Sequence, residues 1–131
     1  MTTVPKRVLD VGQCPPDHGA IRAMLVSLFG AEVDSALTTA QALQMLADRA
    51  YDLVLVNRLL DLDRSDGIDL IRQMQGRPKL SNIPVMLISN REDAQRRAVE
   101  AGAAHGFGKA GLHAPATEAL LRPFLDTTAY A

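Results

Sequence analysis

Four polar side chains directly follow short apolar runs and carry the groups best suited to chemistry in this chain: Gln13, Asn57, Ser89 and Lys109. Their amide, hydroxyl and ammonium groups could hold an anion, helped by backbone amides at helix N-termini. None is a carboxylate, and the chain shows no Ser/His/Asp order, nucleophile elbow or acid–base pair. The sequence therefore does not predict an enzyme.

Two acidic features are weaker candidates. Asp10 lies inside the first apolar run, and we interpret it as a carboxylate hydrogen-bonded near the end of a sheet rather than as a displaced catalytic acid. Residues 61–67 have the pattern D-x-D-x-x-D-G, which departs from a calcium loop and lacks its glutamate. They indicate a solvated loop in which Asp66 caps the next helix.

Cysteine and histidine give no metal site. Cys14 is the single cysteine, and without an activating neighbour it indicates passive packing rather than reactivity. His18, His105 and His113 are far apart in sequence and lack the paired spacing of metal ligands. We therefore predict no bound metal.

The composition narrows the function classes. The 131 residues are 47% hydrophobic and 22% charged, with a net charge of −1, values typical of a globular domain. We expect the protein in the reducing cytoplasm. A near-neutral charge argues against a nucleic-acid partner. No apolar run approaches the ~20 residues that span a bilayer, so we expect no membrane partner.

Short apolar runs alternate with segments of helical period, so the chain reads as five strand–helix units. Strands are predicted at 7–11, 31–37, 52–56, 83–88 and 105–108. The predicted helices end at Gly30, reach Ala50 from a capping box at Thr38 and Gln41, end near Gly76, span 91–101 and cover 117–125. Pro123 is expected to kink the last helix.

The first, third and fourth strands are almost wholly apolar, which indicates a parallel sheet covered on both faces. Right-handed crossovers then favour an α/β fold: a doubly wound, five-stranded, flavodoxin-like sheet with strand order 2-1-3-4-5. We expect one domain over 1–131 with its core at about 6–125. The crevice beyond the strand ends would gather Gly12, Gln13, Asn57, Ser89 and Lys109.

The order and spacing of several segments resemble the receiver domain of two-component response regulators. The segments are 51–57, 66–70, 84–89, and 101–103 followed by Lys109. The resemblance covers about 6–125 and implies a (βα)5 fold and a role in bacterial signal transduction. We expect no output domain within these 131 residues, which belong either to a stand-alone receiver-like protein or to the start of a longer one.

The departures from that family concern its reactive site. Asn57 stands where receivers carry the phospho-accepting aspartate, and Gly12 and Gln13 stand where they carry an acidic pair. Ser89 and Lys109 match retained positions. An amide is not a nucleophile, and Mg²⁺ needs anionic oxygen ligands, so we expect no phosphotransfer and weak or absent Mg²⁺ binding.

Three further features follow from the resemblance. Gly106 stands at the aromatic switch position with Phe107 beside it, and the loop from Asn57 to Gly67 is about two residues longer than usual. Lys109, without acidic partners, is expected to bond to the Asn57 amide or to turn toward solvent.

The resemblance also implies a protein partner. In receivers, helix 4, strand 5 and helix 5 form the output surface, which here includes Arg91, Arg96, Arg97 and Phe107. A homodimer through this face is one alternative. The leading hypothesis is a phosphorylation-independent protein-interaction module; the alternative is a small-anion or small-ligand binding domain using the same crevice.

Overall fold

Strands and helices alternate along the chain in a computed structural model that describes residues 4–127. The strands are β1 (Arg7–Val11), β2 (Glu32–Ala36), β3 (Leu53–Asn57), β4 (Val85–Ile88) and β5 (Ala104–Phe107). The α-helices are α1 (Pro15–Phe29), α2 (Thr39–Asp48), α3 (Gly67–Gln75), α4 (Glu92–Glu100) and α5 (Pro115–Leu125). A 3-10 turn, Lys109–Gly111, follows β5.

All strand pairings are parallel and the strand order is β2-β1-β3-β4-β5. This confirms the predicted doubly wound sheet. Alternate residues of the central strands point to opposite faces: Leu9 and Val11 pack among residues of α2, α3 and α4, whereas Val8 packs among residues of α1 and α5. The two apolar layers therefore align the carboxyl ends of β1, β3 and β4 at one edge.

The first turns of α2 and α3 are capped by the side chains that the sequence indicates. The Thr38 hydroxyl accepts the Gln41 N–H at 3.1 Å, while the Gln41 side chain accepts the Leu37 N–H at 2.7 Å. At α3, the Asp66 carboxylate accepts the Ile68 N–H at 2.9 Å. Both helix starts were predicted from these residue types.

Element ends differ slightly from the prediction. α2 ends at Asp48 rather than near Ala50, because Arg49 adopts an extended backbone that leads into β3. β5 ends at Phe107, one residue early, where the Phe107 carbonyl accepts the Ser89 N–H at 2.9 Å. α5 continues through Pro123 to Leu125.

No helix within residues 4–127 is long and apolar enough to cross a membrane.

Candidate functional site

Three of the five predicted crevice residues share one cavity of about 320 Å³ at the carboxyl edge of the sheet. Asn57 ends β3, Ser89 follows β4 and Lys109 opens the 3-10 turn after β5. The remaining lining residues are Arg58, Leu59, Arg64, Ile88, Asn90 and Arg91. Gly12 and Gln13 follow β1 at the same edge but do not line this cavity.

Asn57 is engaged with the end of β1. Its Nδ2 donates to the Gly12 carbonyl oxygen at 3.1 Å, and the Asp61 N–H donates to the same oxygen at 2.9 Å. The amide at this place therefore fastens β3 and its following loop to β1.

Leu60 occupies the space next to Gly12. Gly12 has a φ of 79°, and a Cβ built on it would lie 2.5 Å from Leu60 Cγ, a separation that side-chain carbons cannot tolerate. Leu60 is fully buried, and backbone hydrogen bonds to Ser65 and Arg64 close the loop around it at 2.9 and 2.8 Å. The loop between β3 and α3 thus packs where a side chain at position 12 would stand.

The Mg²⁺ that the resemblance implies does not fit these residues. Gly12 has no side chain and Leu60 crowds it, and the Asn57 amide nitrogen is a donor. Gln13 is 3% exposed, and neither atom of its amide has a hydrogen-bond partner among residues 4–127. Within that range, no group of three or more His, Cys, Asp or Glu could hold a metal.

Asp10 lies beneath α1 and pairs with His18. Its Oδ2 is 2.7 Å from His18 Nδ1, and its Oδ1 has no hydrogen-bond partner in the described part of the chain. Burial raises the pKa of Asp10 to about 6, against the opposing effects of His18 and of the nearby Gln13 side chain. No Asp10–Gln13 pair has hydrogen-bond geometry, so Gln13 acts as a neighbouring dipole. Asp10 is thus hydrogen-bonded, as expected, through a partner that the sequence did not suggest.

Lys109 does not behave as expected. Its Nζ lies 2.8 Å from the Asp17 carboxylate, so the expectation of an Asn57 contact or a solvent-facing side chain was wrong. Asp17 lies in the first turn of α1, which packs beside the 3-10 turn. The hydrogen bond from Lys109 lowers the pKa of Asp17. The charge partner of Lys109 is therefore a carboxylate of α1.

Gln95 is a buried side chain that sequence reasoning missed. It is 3% exposed; its Nε2 donates to the Leu87 and Ser89 carbonyls at 2.9 and 3.1 Å, and its Oε1 accepts the Gly106 N–H at 3.0 Å. These contacts bridge β4 and β5 where their register shifts. The available signal was a glutamine beside Ala94 on the apolar face of α4.

The α4 surface retains most of the predicted residues. Arg91, Arg96 and Arg97 are exposed, with Arg91 paired to Asp93 at 3.2 Å. Arg96 has no ion-pair partner within residues 4–127. Phe107 is 6% exposed and packs in the α1–α5 layer, so its side chain is not part of that surface.

Comparison with known sequences gives one family. The pattern described as "Response regulator receiver domain" matches residues 16–111, a span that runs from the second residue of α1 to the end of the 3-10 turn. No curated protein matches the chain significantly in sequence.

Solved receiver structures share the fold. The chain is 22% identical to the signal receiver domain of a DNA binding response regulator from Colwellia psychrerythraea, with a TM-score of 0.76 and coverage of 90% of this chain and 96% of that one. The receiver domain of a sensor histidine kinase from Pseudomonas aeruginosa was solved with magnesium coordinated in its active site cleft. The chain is 22% identical to it, with a TM-score of 0.69 and coverage of 93% of this chain and 95% of that one. The chain is 21% identical to the phosphorylated cyanobacterial phytochrome response regulator RcpA, with a TM-score of 0.73 and coverage of 95% of this chain and 96% of that one.

Proposed function

The chain belongs to the response regulator receiver domain family, and we propose that it signals through protein–protein contact without being phosphorylated. The observation that carries the proposal is the state of the reactive site. Asn57, Gly12 and Gln13 are all neutral, and Leu60 packs against Gly12 with no room for a side chain. Phosphoryl transfer to a receiver needs a carboxylate nucleophile and a metal that offsets the phosphate charge.

The packing of the β3–α3 loop supports the proposal as well as the identity of the residues. A carboxylate at position 12 would require Leu60 to leave a fully buried position, and removing a leucine from a core costs about 2–5 kcal/mol. The β3–α3 loop is therefore adapted to a site without metal ligands. This supports a stable, unphosphorylated state as the functional one.

A direct test incubates the protein with acetyl phosphate and Mg²⁺ and follows intact mass. We expect no phosphoryl adduct, while a receiver with the complete acidic set, treated identically, gains one. A stoichiometric adduct on this chain that maps to the crevice would overturn the proposal.

The partner surface that we propose is the exposed side of α4, with Arg91, Arg96 and Arg97. Arg96 has no counter-charge within residues 4–127, and Val99 beside it is 44% exposed. An apolar side chain beside an unpaired cation suits an acidic protein partner. A homodimer through α4, β5 and α5 is the alternative use of this face.

Charge reversal tests this surface. A partner captured from the source cell and identified by cross-linking should lose binding to the variant Arg96→Glu, since one favourable charge contact becomes repulsive. Arg22→Glu reverses an exposed arginine on α1 and should bind normally. Equal binding by both variants contradicts the assignment, and light scattering of the purified chain decides between monomer and homodimer.

We further propose a single receiver-like domain over 1–131 acting in the bacterial cytoplasm, as two-component receivers do. The proposal includes no enzymatic activity.

A further inference from the structure

The crevice behind β3 and β4 concentrates positive charge. Arg58, Arg64, Arg91 and Lys109 line a single cavity of about 320 Å³, and none of its lining residues carries a carboxylate. Like charges that share a cavity repel one another, and the repulsion is relieved when an anion enters. The volume lies at the lower end of the ~300–1,000 Å³ usual for small-ligand sites.

Two of the four cations are without a counter-charge. Arg91 pairs with Asp93 at 3.2 Å and Lys109 pairs with Asp17 at 2.8 Å. Arg58 and Arg64 form no ion pair with any residue in the range 4–127. The cavity therefore presents two uncompensated guanidinium groups, which match the charge of a dianion.

Arg64 is held beside the cavity at a conformational cost. Its φ of 61° is the only positive φ at a non-glycine position among the described residues. A side chain in this left-handed region costs about 1–2 kcal/mol. The hydrogen bond from the Arg64 N–H to the Leu60 carbonyl at 2.8 Å holds the backbone there.

Neutral donors complete the cavity. The Ser89 oxygen accepts the Arg91 N–H at 3.1 Å, which leaves its hydroxyl proton to donate. The Asn90 Oδ1 accepts the Ala110 N–H at 3.1 Å, which leaves its amide nitrogen as a donor. No aromatic side chain lines the cavity, so it offers no platform on which a nucleobase could stack.

We propose that this cavity is a binding site for a phosphate-type dianion, held by the guanidinium groups of Arg58 and Arg64 and by the donors of Ser89 and Asn90. Guanidinium groups bind phosphate through paired, charge-assisted hydrogen bonds. The ligand is inorganic phosphate, pyrophosphate or the phosphate of a small ester. The site works by non-covalent binding and does not depend on the α4 partner surface.

The test is a two-dimensional amide NMR titration with inorganic phosphate, pyrophosphate and ribose 5-phosphate, with chloride holding ionic strength constant. Saturable shifts at Asn57, Arg58, Ser89 and Asn90 are expected. Tighter binding of the two inorganic anions assigns free phosphates as ligands, and tighter binding of ribose 5-phosphate assigns a phosphate ester.

Matched variants locate the site. Arg64→Gly removes the charge and suits the positive φ, so the loop should keep its fold while affinity falls about tenfold, the loss expected for one charged hydrogen bond. Arg58→Gln should lose a similar factor. Arg22→Ala removes an equal charge from the exposed side of α1 and should change affinity less than about twofold. Absence of saturable binding, or equal weakening by Arg22→Ala, overturns the proposal.

Discussion

At the scale of single residues, Asn57, Gly12 and Leu60 form a neutral and closely packed group at the ends of β1 and β3. Asn57 donates a hydrogen bond to the Gly12 carbonyl, a role that a carboxylate cannot take because it has no proton to give. Leu60 fills the space beside Gly12. Asn57, Gly12 and Leu60 fit one another, so a change at one of these positions leaves a hydrogen bond unmade or a side chain without room.

Asn57→Asp is expected to destabilise the protein and to leave it unphosphorylated. The new carboxylate would face the Gly12 carbonyl oxygen, 3.1 Å from the present amide nitrogen. Replacing a donor by a partly buried acceptor costs about 1–3 kcal/mol, measurable as a lower midpoint in urea. Asn82→Asp, at an exposed position, is the control and should change little.

Mass analysis of the Asn57→Asp variant with acetyl phosphate and Mg²⁺ completes the test. Robust Mg²⁺-dependent modification would mean that Gly12 and Gln13 do not occupy the places of the acidic pair.

Asp10 should make stability depend on pH. Burial raises its pKa from 3.8 to about 6, so between these values the folded protein holds a proton that the unfolded chain releases. The free energy of unfolding therefore decreases as pH rises through this interval and is lower above it. Asp10→Asn removes the buried charge and should remove this decrease.

Thermal unfolding at several pH values measures the effect. The stability gain of Asp10→Asn should be small near pH 4 and reach at most about 3 kcal/mol near pH 7, from the size of the pKa shift. Asp48→Asn, at an exposed carboxylate of α2, should show no such trend. A gain that shrinks with rising pH would contradict the assignment.

At the scale of elements, α4 is joined to the sheet by a side chain rather than by apolar packing alone. Gln95 bonds to both β4 and β5, and a Cβ at Gly106 would collide with the Leu87 carbonyl. The Gln95 amide thus lies beside Gly106, where no side chain has room. This holds the proposed partner surface in one arrangement.

Gln95→Leu should destabilise the protein strongly. Leucine would leave the Gly106 N–H buried without its Gln95 acceptor, at about 1–3 kcal/mol. Urea unfolding should show the loss, and amide exchange at Gly106 should accelerate. Gln73→Leu, on the exposed side of α3, is the matched control; an unchanged midpoint in Gln95→Leu would show that the bridge is not stabilising.

The limits of sequence prediction follow from these contacts. Every strand and α-helix was predicted from the alternation of short apolar runs with helical segments, because burial on one or both faces produces that pattern, and the caps of α2 and α3 are local. The Lys109–Asp17 pair joins residues 92 positions apart, and the Leu60–Gly12 contact depends on the path of a loop. No local pattern encodes either one. The place of Gln95 beside Ala94 indicates burial, but its partners in β4 and β5 follow only from the packing of α4 on the sheet.

At the scale of the whole molecule, positive charge is concentrated at the carboxyl edge of the sheet. The cavity lining contains four cations and no carboxylate, although the net charge of the chain is −1. The negative charge is therefore distributed over other surfaces. Rebuilding an acidic site would place one carboxylate, at position 57, in this cavity and another, at position 12, against the loop packed on Gly12.

The combined variant Gly12→Asp, Gln13→Asp, Asn57→Asp should consequently remain a poor Mg²⁺ binder. Its net charge becomes −4, from −1 and three added carboxylates, but the position 12 side chain still meets Leu60 Cγ. We expect a lower melting temperature than the parent and little recovery in millimolar Mg²⁺.

Adding Leu60→Ala to the triple variant removes the obstructing side chain, so the metal should now raise the melting temperature through binding to the folded state. Leu60→Ala in the parent background is the control: it should only destabilise, by about 2–5 kcal/mol, with no response to Mg²⁺. If the triple variant alone already bound Mg²⁺ tightly, the packing of the loop would not be what excludes the metal, and loss of the carboxylates would be the sole cause.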